Sequence, residues 1–154
     1  MNAMAVTLPT ELRMRRAPLA AGPAAAAEAR GQVRAAICAW DVPVDPSVAV
    51  LLTSELVTNA IRHETGETIT LAIDCSQGQL RVDVHDSSGA IPAVLDTPCD
   101  AETGRGLVLV ATLSDEWGFY RTPAGKAVYF TLACQPDLPR GGGPRGSRRG
   151  GGEP

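Results

Sequence analysis

Glu55-Leu56-Val57-Thr58-Asn59-Ala60 is the stretch of this 154-residue chain that decides its fold. It lies in a segment whose apolar residues recur at helical spacing, and Asp45 followed by Pro46 is a typical start for such a helix. Glu55 and Asn59 are one helical turn apart. The pattern therefore predicts an amphipathic helix from residue 46 to about 63, with a carboxylate and a carboxamide on one edge of its apolar stripe.

Strands are predicted on the C-terminal side of this helix. Apolar residues alternate in 67–75 and 79–86, and Gln77-Gly78 between them is typical of a hairpin turn. A second hairpin is predicted from 115–121 and 126–133.

Two further helices and one strand complete the predicted elements. An Ala-rich helix is expected from Pro23 to about Trp40, a short helix over 106–113, and an edge strand over 6–14. Residues 87–103 are expected to form a loop. This order predicts an α+β fold, a two-layer α/β sandwich whose mixed or antiparallel sheet carries helices on one face.

The composition suits one domain with two tails. Hydrophobic residues make up 44% of the chain and aromatic residues 4%, so the expected core is aliphatic. The expected division is an N-terminal extension or edge strand (1–19), a folded domain (20–134) and a disordered Gly/Pro/Arg tail (135–154).

Charge and cysteine content exclude several classes of function. The net charge is −3, and because the tail contributes +2, the rest of the chain carries −5, so no direct DNA binding is expected. The four cysteines form no CxxC pair, which argues against zinc and favours free thiols in a reducing cytoplasm. No apolar run approaches the ~20 residues that cross a bilayer. A cytoplasmic protein is expected.

Three groups of residues carry the chemistry of a magnesium–nucleotide site. The first is the Glu55–Asn59 pair. An Asn side chain offers a neutral oxygen to Mg²⁺, and a Glu can orient or deprotonate an attacking hydroxyl. The alternative is the solvated polar edge of an ordinary amphipathic helix.

The second group is Asp86 with Gly89. A carboxylate at the end of a buried strand can accept a hydrogen bond from the adenine amino group, and Gly89 leaves room for the purine against the backbone. The alternative is a simple Asx-turn that ends the strand.

The third group is Gly104-Arg105-Gly106-Leu107. Glycines ahead of an apolar helix free N–H groups for phosphate oxygens, and Arg105 adds a charge-assisted bond. The alternative is a flexible loop before a helix. Elsewhere, Lys126 is expected to be solvated, and Trp40 and Trp117 to pack in the core or at its rim.

Taken together, the order ExxxN, then Asp with a nearby Gly, then GxG resembles the N, G1 and G2 boxes of the GHKL (Bergerat-fold) ATPases. Residues 55–63 and the ending 125–130 look most like the bacterial anti-sigma-factor serine-kinase branch. The resemblance covers about residues 20–134. One departure is the G1 box, where Asp86-Ser87-Ser88-Gly89-Ala90 stands in place of the family's DxGxG.

The resemblance implies a cytoplasmic regulator of transcription that binds ATP and Mg²⁺ and phosphorylates a serine or threonine of another protein. Glu55 corresponds to the catalytic base, Asn59 to the Mg²⁺ ligand and Asp86 to the adenine-binding aspartate. Gly104 and Gly106 correspond to the phosphate loop. The implied partners are a STAS-type anti-sigma-factor antagonist, a sigma factor, or both; a homodimer is left open.

Three alternatives to this function remain open at the level of sequence. The first is a non-catalytic nucleotide-binding module that sequesters a sigma factor or another partner. The second is the catalytic fragment of a sensor histidine kinase, which fits less well because residues 1–20 contain no histidine. The third is an unrelated α+β domain in which the motifs are coincidental.

Overall fold

Five antiparallel strands and three helices make up the part of the chain that the structure, a computed structural model, describes: residues 13–63, 68–88 and 102–135. The sheet order is β1-β2-β3-β5-β4. The strands are β1 (Met14–Ala20), β2 (Thr68–Ser76), β3 (Gln79–Asp86), β4 (Glu116–Thr122) and β5 (Gly125–Ala133), and the helices are α1 (Ala25–Ala39), α2 (Pro46–His63) and α3 (Glu102–Leu113).

The core lies between one face of the sheet and the helices. Alternate residues of the central strands point into it because side chains of a strand alternate between the two faces. Phe130 is the largest side chain that is fully buried there, and Trp40 and Trp117 pack at the rim, as predicted. The fold is thus the predicted two-layer α+β sandwich, with an antiparallel sheet. The sheet's main contributions to the core are Leu19, Ile69, Leu71, Ile73, Leu80, Val82, Val84, Val128, Phe130 and Leu132.

Helix α2 begins where the sequence predicts. The Asp45 side chain accepts a hydrogen bond from the backbone N–H of Ser47 at 2.9 Å, and Pro46 occupies the first helical position. Asp45 supplies an acceptor for an N–H of the first turn, and Pro46 has no N–H that would stay unpaired there.

The β2–β3 hairpin also follows the prediction. Its loop has two residues, Gln77 and Gly78, with φ values of 52° and 73°. Two successive residues in the left-handed region define a type I′ turn, whose twist matches that of the flanking strands.

The N-terminal edge strand differs from the prediction. It spans Met14–Ala20 instead of 6–14, and residues 6–12 lie outside the described part. In β1 only Leu19 is fully buried, while Arg16 and Pro18 are exposed. An edge strand tolerates a proline and a charged outer face, and these residues concealed the strand in the sequence.

Helix α3 begins at Glu102, four residues earlier than predicted. Gly104 and Gly106 therefore lie inside the helix and not ahead of it. Glycine costs a helix roughly 1 kcal/mol relative to alanine, which is a weak preference that tertiary packing overrides. Here the packing is supplied by Leu107 and Val110, both buried in the core.

None of the helices in the described ranges combines the length and the apolarity that crossing a membrane requires. Cys38, Cys75 and Cys134, the cysteines within those ranges, are free thiols.

Candidate functional site

The site is built around the C-terminal half of α2, which packs against β3, β5 and α3. Leu56 and Ala60 anchor this part of the helix in the core. Their neighbours Glu55 and Asn59 lie at the border of the buried stripe, as the spacing predicts: Glu55 is partly buried and Asn59 is 5% exposed.

The carboxamide of Asn59 is the most unusual polar group in this region. Its Oδ1 and Nδ2 are both buried, and neither has a hydrogen-bond partner within the described residues. An unpaired buried polar atom costs about 1–3 kcal/mol, so native proteins almost always satisfy such atoms. The described residues therefore leave the amide available to a ligand, and its oxygen is the kind of ligand that Mg²⁺ prefers.

Asp86 ends β3 with its side chain on the same, helix-covered face of the sheet. One oxygen, Oδ1, accepts a hydrogen bond from the backbone N–H of Ser88 at 2.8 Å. This is the Asx-turn that the sequence offered as an alternative, and it fixes the orientation of the carboxylate. Oδ2 is buried, and the described residues give it one close polar neighbour, the ammonium of Lys126 at 3.1 Å, without an aligned hydrogen bond. The Asx-turn is thus present, and Oδ2 keeps acceptor capacity for a further donor.

Lys126 contradicts the prediction that it is solvated. It is 3% exposed, and its Nζ lies 3.3 Å from Oδ1 and 3.1 Å from Oδ2 of Asp86. The alternation of β5 explains the burial, because Lys126 is two residues before the buried Val128 and four before Phe130. The same alternation could have revealed the buried lysine from the sequence.

Gly125 brings the backbones of β3 and β5 unusually close beside this ion pair. A Cβ at position 125 would overlap the carbonyl oxygen of Asp86 and lie 2.6 Å from Cα of Ser87. Only glycine fits this approach, so the residue before Lys126 fixes the backbone that presents Asp86.

The remaining predicted site residues lie at the N-terminal end of α3 or beyond it. With the helix beginning at Glu102, the amide of Gly104 belongs to the first turn, which has no acceptor inside the helix, whereas the amide of Gly106 lies within the helical ladder. The Leu107 side chain packs in the core. The Arg105 side chain and Gly89 lie outside what the structure describes.

A second polar cluster occupies the opposite, uncovered face of the sheet. Arg81 donates to both oxygens of Asp83 at 2.8 and 3.0 Å, and the hydroxyl of Tyr120 donates to Asp83 at 2.9 Å. The hydrogen bond to Asp83 raises the pKa of Arg81 above its ordinary value. Burial, together with Asp83, raises the pKa of Tyr120. A cavity of about 370 Å³ lies over this cluster.

His85 lies beside the same cluster, with its ring packed edge-on against Tyr120 at 6.0 Å between centroids. Burial, and secondarily the charge of Arg16, lowers the pKa of His85 below 6.5. Because side chains of neighbouring residues on β3 face opposite ways, this cluster is separated from Asp86 by the sheet itself. It is not part of the predicted site.

The fold and this site belong to a recognised class of protein domain. The family model for the histidine kinase-like ATPase domain matches residues 19–132. The chain therefore belongs to the histidine kinase-like ATPase family, which implies ATP as its nucleotide. Among curated proteins, none matches the chain.

Two solved structures are similar to the chain, and the first of them shares its fold. The RsbU and RsbW domains of Rv1364c from Mycobacterium tuberculosis match with a TM-score of 0.60 and 22% identity, over 79% of this chain and 32% of that one. The histidine kinase domain of the blue-light-activated kinase EL346 from Erythrobacter litoralis has a TM-score of 0.46 and 26% identity, over 68% of this chain and 59% of its own. The chain thus spans about a third of the first protein and somewhat over half of the second.

Proposed function

We propose that this chain is an ATP- and Mg²⁺-dependent protein kinase that phosphorylates a serine or threonine of a STAS-type anti-sigma-factor antagonist. The observation that carries the proposal is the buried carboxamide of Asn59, one turn after Glu55, which has no hydrogen-bond partner among the residues that the structure describes. The order of the motifs supports the same branch, as does a fold shared with a chain that contains an RsbW domain. The expected setting is regulation of transcription in the cytoplasm, with a sigma factor as a second partner.

In this proposal Asn59 would hold Mg²⁺ through its amide oxygen, and the bound metal would supply positive charge for the phosphates. The first-turn amide of Gly104 faces the same negative charge at the N-terminus of α3. Glu55, partly buried and one turn before Asn59, accepts the proton of the incoming hydroxyl. These residues act by positioning and charge stabilisation, which is how phosphoryl transfer is mainly catalysed.

Base recognition falls to Asp86. Its Oδ2 is buried beside the Lys126 ammonium and has a lone pair for a further donor, while the Ser88 N–H holds Oδ1 in place. A carboxylate that is already oriented loses little further freedom when a base binds.

Nucleotide binding tests the first half of the proposal. Asn59→Ala removes the metal ligand, so the affinity for Mg-ATP should fall by roughly ten- to a hundredfold, as expected for a lost bond to a charged group. Thr58→Ala is the matched control because Thr58 is exposed on the same turn of α2. Isothermal titration measures both. A wild-type protein that takes up no nucleotide would refute the proposal.

Phosphoryl transfer tests the second half. Glu55→Gln keeps the size of the side chain but not its basicity, so labelling of a STAS protein from the same host by γ-labelled ATP should slow by about 10²-fold or more. Affinity for Mg-ATP should stay close to that of the wild type. Equal labelling rates for the variant and the wild type would show that Glu55 is not the base.

One observation favours a second candidate function, a nucleotide-binding module that sequesters a partner without transferring phosphate. The Lys126 ammonium already pairs with the carboxylate assigned to base recognition, which changes the donors and acceptors that a bound base would meet. Wild-type protein that binds Mg-ATP and a sigma factor but labels no STAS protein would establish this alternative.

A further inference from the structure

We propose that Lys126 determines which purine the base site accepts, and that the Lys126–Asp86 pair lets 6-oxopurine nucleotides such as guanine nucleotides bind about as well as adenine nucleotides. This inference rests on the proposed function, because it takes Asp86 as the residue that recognises the base.

The pair is fixed by the sheet and cannot easily separate. Asp86 and Lys126 are direct partners in the antiparallel register of β3 and β5. The Asp86 side chain is fully buried and the Lys126 side chain is 3% exposed. A buried ammonium that left its carboxylate would lose its compensating charge without gaining water, so the two groups stay together.

A carboxylate without a cation favours adenine when it faces position 6 of the base. The 6-amino group of adenine donates a hydrogen bond to it, whereas the 6-oxo group of guanine or hypoxanthine presents a second acceptor at the same position. Two acceptors facing each other in a buried site leave both unpaired, which is the usual source of strong discrimination between analogues.

The ammonium of Lys126 changes this edge of the site. It carries three N–H bonds, and at most two are needed for the two oxygens of Asp86. A third can donate to O6 of a 6-oxopurine, while Oδ2 of Asp86, which lies 3.1 Å from the ammonium and has a second lone pair, accepts from N1–H. Adenine also fits, with its amino group on Asp86 and N1 facing Lys126. The Lys126 ammonium and the Asp86 carboxylate, lying side by side, can therefore hydrogen-bond either adenine or a 6-oxopurine.

The wild-type protein provides the first test. Isothermal titration with the magnesium complexes of ADP, GDP and IDP should give dissociation constants within about threefold of one another, since each base finds both a donor and an acceptor. CDP, a pyrimidine nucleotide, is the control and should bind more weakly than all three. A preference for ADP over both GDP and IDP of about thirtyfold or more would overturn the inference.

Substitution of Lys126 provides the second test. In Lys126→Thr a hydroxyl can still donate to Asp86, but the site loses its positive charge, so the ratio of GDP to ADP dissociation constants should rise by roughly tenfold or more. Lys126→Arg keeps charge and donors and should leave the ratio near that of the wild type. Circular dichroism establishes whether the Lys126→Thr protein folds. An unchanged GDP-to-ADP ratio in the folded variant would contradict the proposal. If the variant does not fold, the dissociation constants of the wild type decide the question.

The two proposals fail in different ways. If none of the nucleotides binds to the wild type, the proposed function is wrong and this inference falls with it. If ADP binds with a strong adenine preference, nucleotide binding stands and only the role of Lys126 is wrong.

Discussion

At the scale of single residues, the contact between Gly125 and the end of β3 sets the position of the candidate base site. The backbone of β5 approaches the Asp86 carbonyl so closely that no side chain fits between them. The next residue, Lys126, then lies directly opposite Asp86. Gly125 thus fixes the position of the Asp86 carboxylate, and Lys126 next to it neutralises the charge of that carboxylate.

This crowding gives a stability prediction. Gly125→Ala should lower the free energy of unfolding by about 2 kcal/mol or more, because the new methyl group forces the two backbones apart. Gly31→Ala is the matched control, since a Cβ at Gly31 meets nothing within 4 Å. Gly31 lies in the middle of α1, so its replacement should stabilise the protein by up to about 1 kcal/mol. Urea unfolding measures both, and equal effects of the two substitutions would contradict the packing argument.

Some site residues could be predicted from the sequence because local spacing defines them. Glu55 and Asn59 are placed by a single helical turn, and Asp86 by the end of an alternating strand. The burial of Lys126 depends on which face of β5 meets the helices, and a basic residue next to a turn suggests solvent instead. That both atoms of the Asn59 amide lack partners in the described ranges depends on tertiary packing, which no local pattern reveals.

At the scale of elements, the two-residue turn between β2 and β3 contains a glutamine in a backbone conformation that suits other residues better. Gln77 has a φ of 52°, a conformation that glutamine rarely adopts and asparagine adopts more readily. Gln77→Asn should therefore stabilise the protein by up to about 1 kcal/mol, since Asn-Gly is the preferred type I′ pair. Gln79→Asn, the same change in a strand, should stabilise nothing. Thermal unfolding compares them; a Gln77→Asn protein no more stable than the wild type would be the contrary result.

Element bounds were predicted well where the chain carries explicit stop and start residues. Asp45-Pro46 and Gln77-Gly78 are such signals, and α2 and the first hairpin follow them. Prediction was wrong for β1 and for the start of α3. In β1, the exposed Arg16 and Pro18 make the sequence untypical of a strand. In α3, the glycine pair is typical of a helix break, but the packing of Leu107 and Val110 in the core stabilises the helix.

At the scale of the whole molecule, one face of the sheet packs against the helices to form the core, and the other face carries polar contacts. The guanidinium of Arg81 stacks over Tyr129 at 4.0 Å while pairing with Asp83, so charge and aromatic rings cover the open side. Among the described elements, the helices therefore cover only the face that carries Asp86 and Lys126, and the stability of the domain depends on that single layer of packing.

Ligand binding on that layer should stabilise the whole domain. A ligand that binds only the folded state adds about 2.7 kcal/mol when its concentration is 100 times its dissociation constant. Mg-ATP should therefore raise the unfolding temperature of the wild type in a concentration-dependent way, and EDTA should remove most of the increase. Asn59→Ala should show little increase at the same concentrations. Differential scanning calorimetry measures all three, and an equal increase in the variant would exclude Asn59 as the metal ligand.

The short connection between β4 and β5 places a constraint on insertions and deletions. Thr122 and Gly125 pair across a two-residue loop, and Lys126 follows at once. If one residue were added and absorbed into β5, each later side chain would move to the other face of the sheet. Lysine would then lie opposite His85 on the uncovered face, and the residue before it would face Asp86. Changes in the length of this loop therefore preserve the ion pair only when they stay outside the paired strands.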